Sequence, residues 1–124
     1  MAAPPPQAAN RGRDAERRAC EHLERQGLRL IARNYRCPRG EIDLVMAERD
    51  TIVFVEVRYR RSNAYGTPAE TVDPRKQARL RAAALHYLQR HPDASRRPCR
   101  FDIVALTAAQ APQWLPNAFD LGGA

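Results

Sequence analysis

Apolar residues recur along the chain with two different periods, and the change of period divides it into elements. From Arg11 to Gln26 the spacing is helical: Ala15, Ala19 and Leu23 stand at i, i+4 and i+8 on one face. Glu16 sits at the border of that stripe, and Gly27 follows where a helix end favours positive φ. Leu28 to Tyr35 predicts a short strand with imperfect alternation. The period then falls to two. Ile42, Leu44 and Met46 alternate with Glu41, Asp43 and Val45, and Thr51–Arg60 reads TIVFVEVRYR, rich in β-branched and aromatic residues. Glu48-Arg49-Asp50 between them predicts a tight turn, and so a β-hairpin. With Arg49 and Asp50 as the turn residues, paired positions sum to 99. Asp43 then faces Glu56, Glu41 faces Arg58 and Val45 faces Phe54. Neither turn residue is favoured at positive φ, so a one-residue bulge is the alternative.

Ser62 to Val72 predicts a loop containing Asn63, Gly66 and Pro68. Asp73-Pro74 then opens a second helix, with Asp as N-cap and Pro in the first turn. Its stripe is Leu80, Ala84, Tyr87 and Leu88, and Pro92 stops it. Cys99 to Leu106 alternates again, with Phe101, Ile103 and Ala105 on one face. From Thr107 onward the chain reads as a tail, and so does Met1–Asn10, which has no periodic pattern. Helix, strands, helix, strand is the order of an α/β fold with one small mixed sheet flanked by helices. Residues 11–120 form the predicted domain, with 1–10 a disordered N-terminal tail.

Composition agrees with one domain: 124 residues, 44% hydrophobic and 28% charged, enough for a core and too apolar for wholesale disorder. No apolar run approaches the roughly 20 residues of a membrane span, and the start lacks the apolar stretch of a secretory signal. Both point to the cytoplasm and away from a membrane. Cys20, Cys37 and Cys99 include no CxxC pair, which argues against a disulfide framework or a zinc knuckle.

Charge changes the picture more. The net charge is +7, and Lys76 is the single lysine among 21 basic residues. That sign points to a polyanionic partner such as nucleic acid. The distribution is uneven: residues 11–39 carry +5, residues 40–57 carry −4, and residues 58–100 carry +8. An acidic island gains nothing for a phosphate binder unless a cation stands between. The island is the predicted hairpin. Glu56 and Arg58 project from one face of their strand, and Asp43 joins them across the pair. Two carboxylates that close require a shared cation or proton. Mg²⁺ suits them, since it takes one or two carboxylates plus a phosphate and keeps several waters. The alternative is a solvated strand face with a charge ladder, the apolar Ile42, Leu44, Met46, Val53, Val55 and Val57 filling the opposite face. Other chemistries lack their motifs: there is no GxSxG, no GxxxxGK[ST] and no GxGxxG, and His22, His86 and His91 have no metal-ligand spacing.

Several segments resemble the YraN-like family of small bacterial proteins. They are Arg11-Gly12-Arg13 with Ala15-Glu16, Asn34, Gly40-Glu41-Ile42-Asp43-Leu44, Val53-Phe54-Val55-Glu56-Val57-Arg58, Lys76 and Arg100-Phe101-Asp102. The resemblance spans roughly residues 11–120. It implies a single restriction-endonuclease-like domain related to archaeal Holliday-junction resolvases, with a helix, a three-stranded meander, a second helix and a further strand. It also implies a catalytic signature of an Asp, then Glu-x-Lys, with a helical Glu upstream. These fall on Asp43, Glu56-Val57-Arg58 and Glu16, with Glu41 an auxiliary acid. Mg²⁺ or Mn²⁺ would be held by Asp43, Glu56 and the Val57 carbonyl. Arg58 stands where the signature usually has lysine, and arginine keeps its proton throughout the physiological range, so it can hold a phosphate but cannot act as a base. Arg11, Arg13, Arg60, Arg61, Arg75 and Lys76 are the expected phosphate contacts. The function expected is a metal-dependent DNA endonuclease acting on branched or damaged DNA, with a homodimer as the candidate assembly. The alternatives are a non-catalytic nucleic-acid-binding or scaffold module that retains the nuclease fold, which Arg58 favours, and a protein-interaction domain whose basic surface meets an acidic partner.

Overall fold

The computed structural model describes residues 6–60, 72–107 and 111–119. The elements are α1 (Pro6–Arg25), β1 (Arg29–Cys37), β2 (Gly40–Glu48), β3 (Thr51–Tyr59), α2 (Pro74–Arg90), the single-turn α3 (Pro92–Ser95), β4 (Cys99–Leu106) and β5 (Gln113–Phe119). One five-stranded sheet has the order β1-β2-β3-β4-β5. The first three strands form an antiparallel meander, β4 lies parallel to β3, and β5 returns antiparallel to β4. The parallel pair needs a crossover, and α2 lies within it. This is the α/β fold with a small mixed sheet that the order of periods predicted.

The ends of the elements follow from local chemistry. Gly27, at φ 100, closes α1 while its N–H and that of Leu28 bond back to the Glu24 and Leu23 carbonyls. Asp73 caps α2 by accepting the Lys76 N–H at 2.8 Å. The β2–β3 hairpin has the expected register, from Glu48↔Thr51 to Leu44↔Val55, without a bulge. Arg49 carries the turn's positive φ of 55, a conformation that costs a side-chain-bearing residue more than glycine.

Four features differ from the sequence reading. First, α1 begins at Pro6 rather than Arg11; residues 1–5 and the side chains through Arg11 lie outside the description. Second, β5 occupies part of the expected C-terminal tail, and α3 follows the proline stop. Trp114-Leu115-Pro116-Asn117 has no alternation to announce a strand; a buried carboxylate holds it instead. Asp102, fully buried on β4, accepts Trp114 Nε1–H at 2.9 Å and the Asn117 N–H at 2.9 Å. Third, both faces of the sheet are packed. Leu44, Met46, Val53 and Val55 meet Ala15, Ala19 and Leu23 of α1, while Val45, Phe54, Phe101 and Ile103 meet Leu80, Ala84 and Tyr87 of α2. The face carrying Asp43 and Glu56 is therefore not a solvated one, because α2 crosses back over it.

Fourth, Ile42 leaves its expected face and joins the cluster under α2. The cause lies on the neighbouring strand. Asn34, at φ 51, stands between the pairs Arg33↔Leu44 and Tyr35↔Ile42. Arg33 reaches Cys20 of α1, whereas Tyr35 packs edge-on against Tyr87 of α2, so residues two apart fall on opposite faces. Asparagine tolerates this conformation better than most side chains. The switch lies beside Asp43. Of the expected loop from Ser62 to Val72, residues 62–71 lie outside the described residues, and Val72 is buried in the cluster under α2. Among the described residues no helix is long and apolar enough to cross a membrane.

Candidate active site

β2 delivers Asp43, β3 delivers Glu56, and the first turn of α2 brings Lys76 to Glu56. The β2–β3 ladder ends at Leu44↔Val55, and the next step is made by a side chain: Asp43 Oδ2 accepts the Val57 N–H at 2.8 Å. Glu56 is 5% exposed. Its Oε1 lies 3.4 Å from Lys76 Nζ and 3.9 Å from Arg58 Nη1.

Electrostatics mark the pair as unusual. Burial and the neighbouring Glu56 push the Asp43 carboxyl up from 3.8 to about 7, against the Val57 hydrogen bond, and Glu16 and Glu41 add to the rise. Burial also raises Glu56, although Lys76 and Arg58 pull it down. The site thus holds two carboxyl groups that water would ionise freely, and a cation between them would relieve both.

A cavity of about 600 Å³ opens onto the pair. Asp43, Glu56, Glu41 and Lys76 line it. Glu41 also pairs with Arg36 at 3.2 Å. Arg58 touches Glu56 from outside the lining, and Glu16, half-buried on α1, acts on Asp43 by its charge. The expected phosphate contacts are dispersed. Arg13 and Arg75 are exposed away from the lining, and Arg60 is half-buried, its N–H bonded to the Leu106 carbonyl. Arg61 and the Arg11 side chain lie outside the described residues. Instead, three arginines not singled out from the sequence, Arg36, Arg39 and Arg79, rim the cavity. No local pattern sets these three apart from the chain's other arginines.

Gly40 explains how the rim closes. A Cβ there would collide with the Arg79 carbonyl oxygen, so only glycine lets the β1–β2 turn rest on α2. Among the described residues no group of three or more His, Cys, Asp or Glu is placed to hold a metal ion. Among the described residues the oxygen donors lining the cavity are the carboxylates of Glu41, Asp43 and Glu56, groups that suit Mg²⁺ or Mn²⁺ when waters and phosphate complete the shell. Oxygen donors of this kind are chemically compatible with a hard divalent cation.

The model of an uncharacterised protein family, UPF0102, matches residues 15–106, which span every motif of the site. A UPF0102 protein of Pseudomonas fluorescens is 53% identical over 110 residues, 88% of this chain and 92% of its own. One from Nitrosococcus oceani is 50% identical over 113 residues, covering 89% and 91%. A third, from Coxiella burnetii, is 47% identical over 110 residues, covering 89% and 92%.

Proposed function

The chain belongs to the uncharacterised protein family UPF0102, and from that premise we propose that it is a divalent-metal-dependent nuclease hydrolysing phosphodiester bonds in DNA, branched or damaged DNA in particular. One observation carries the reading: two carboxyl groups on adjacent strands, both raised by burial and Asp43 further by Glu56, line a cavity that Arg36, Arg39 and Arg79 also line. A structural ion-pair network has no need of a basic cavity mouth, whereas a phosphodiester site has need of both parts.

Asp43, Glu56 and the Val57 carbonyl would hold Mg²⁺ or Mn²⁺. When bound there, such an ion would supply charge to a phosphoryl oxygen and acidify a water. The chain's own groups do the rest. The Val57 N–H fixes the Asp43 carboxylate in direction. Arg36, Arg39 and Arg79 hold phosphates at the cavity mouth, and Arg58 sets a fixed positive charge beside Glu56. Lys76 stands closer to Glu56 than Arg58 does, 3.4 against 3.9 Å, and is the basic group of the pair able to give up a proton. It therefore supplies what Arg58 cannot. Glu16 and Glu41 hold the field that draws a cation in. The protein would act in the cytoplasm, and a homodimer would present two such sites to a two-stranded substrate.

A second reading, a binding or scaffold module that keeps the fold, is favoured by the same ion pairs: Lys76 and Arg58 already neutralise Glu56 without a metal. A cleavage assay on duplex, flap and four-way-junction DNA with Mg²⁺ or Mn²⁺ separates the two. Metal-dependent cleavage that is lost in Asp43→Asn supports the nuclease; salt-sensitive binding with no cleavage of any substrate supports the module.

A further inference from the structure

A second groove opens from the carboxylate cavity and runs along the outer face of α2. Cys37, Pro38 and Arg39 of the β1–β2 turn line both, forming their common wall. Beyond the wall the floor is Ala78, Ala82 and Leu85, spaced by four and three so that one helix face presents them. Leu85 is 48% exposed, the most open large hydrophobic side chain among the described residues. The groove measures about 580 Å³ and, unlike its neighbour, has no acidic residue in its lining. Arg39, exposed, lines both cavities, and Arg79, exposed and next to Ala78 in sequence, lines the carboxylate cavity.

Resting on the nuclease reading, we propose that this groove holds an unpaired stretch of the nucleic-acid substrate, next to the phosphodiester at Asp43 and Glu56, with Arg39 and Arg79 on the intervening phosphates. Duplex DNA presents charged phosphates and keeps its base faces stacked inside, so an apolar shelf offers it nothing. A single strand presents both a backbone for the arginines and an open base face for the shelf. The absence of acids in the lining removes the repulsion that a phosphate meets beside Glu41, Asp43 and Glu56. A second copy of this chain, itself at +7, would bring like charge to an arginine-flanked groove. The substrate class is therefore DNA with a single-stranded portion adjoining the cleavage point.

The test is fluorescence anisotropy with the full chain in EDTA, where nothing is cleaved. Two labelled DNAs are compared: a blunt duplex, and the same duplex with a single-stranded extension of about five nucleotides, in either polarity. Wild type should bind the extended DNA about tenfold more tightly than the blunt one. Ala78→Gln and Leu85→Asn, neutral changes at exposed positions, should abolish that preference while leaving blunt-duplex affinity within about twofold. Arg39→Ala with Arg79→Ala should weaken both DNAs and reduce the salt slope by about two. Equal affinity of the wild type for the two DNAs, or a preference untouched by the shelf changes, overturns the groove and leaves the nuclease reading standing. Binding of neither DNA at low salt overturns both.

Discussion

At Asp43 the consequence of burial is a pH dependence with a definite sign. The folded chain keeps a proton there up to about pH 7, while the unfolded chain releases it near the ordinary value of 3.8. Between those limits the folded state binds more protons, so this contribution to stability is full below the lower limit and lost as pH rises to the upper one. Glu56 acts in the same direction. Asp43→Asn keeps an oxygen for the Val57 N–H and removes the titration. The metal-free wild type should therefore lose melting temperature relative to Asp43→Asn between pH 4 and pH 7, with the variant the more stable at pH 8. Parallel melting profiles across that range would refute the buried-acid picture. The same residue scale separates Arg58 from Lys76. If Lys76 supplies the group able to transfer a proton, Lys76→Met should lower cleavage by about two orders of magnitude, the size of a lost transition-state contact. Arg58→Lys should retain or raise activity. A Lys76→Met enzyme with wild-type rate sends that role elsewhere.

At the scale of elements, two contacts fix the pieces that surround the site. The β1–β2 turn lies against α2 with Gly40 over the Arg79 carbonyl. Gly40→Ala forces the backbones apart, at a cost of about 1–3 kcal/mol. Its denaturant midpoint should fall accordingly, and DNA affinity should fall with it, since Arg39 and Arg79 sit on the two sides of that contact. An unchanged midpoint would mean that the turn rests there without constraint. On the opposite edge, Asp102 gathers Arg100 Nε at 2.9 Å, Trp114 and the Asn117 backbone, and Arg100 in turn reaches Glu48 at 2.8 Å. Asp102→Ala leaves Trp114 Nε1–H and the Asn117 N–H without their acceptor and Arg100 with Glu48 alone, and should cost about 1–3 kcal/mol. Trp114 is the sole tryptophan, so its fluorescence reports β5 directly. It should shift to the red in the variant under conditions where α-helical circular dichroism persists, and simultaneous loss of both signals would show that β5 has no separate anchorage.

Across the whole molecule, the net charge of +7 is organised rather than diffuse. Three acids of the hairpin, Glu41, Asp43 and Glu56, line a cavity that arginines from β1, the following turn and α2 line as well. DNA affinity should fall steeply with salt, and the Arg60→Ala and Arg61→Ala pair should change that slope less than the Arg39→Ala and Arg79→Ala pair. Filter binding between about 50 and 200 mM salt measures both slopes. The opposite order would return the phosphate track to the end of β3.

The hairpin register was legible because a two-residue turn leaves one pairing, and the period of two does the rest. The same local rules located the Asp73 cap, the Gly27 stop and the meeting of Asp43 with Glu56. Asn34, Gly40 and Asp102 were visible as family motif residues without a reason. Their reasons are a left-handed backbone, a close approach between backbones and a buried anchor, each defined by a partner far along the chain. The strand at Gln113–Phe119 carried no periodic signal because hydrogen bonds to one carboxylate, not alternation, hold its end. Which of twenty arginines would share a cavity was likewise beyond any local pattern. Exposed arginines look alike along a chain, and only the return of α2 over β2 and the β1–β2 turn selects Arg36, Arg39 and Arg79. Period and turn chemistry act over a few residues and are written in the sequence; the choice of neighbours across the fold is made by the packing of the sheet's two faces, and the tertiary structure alone contains it.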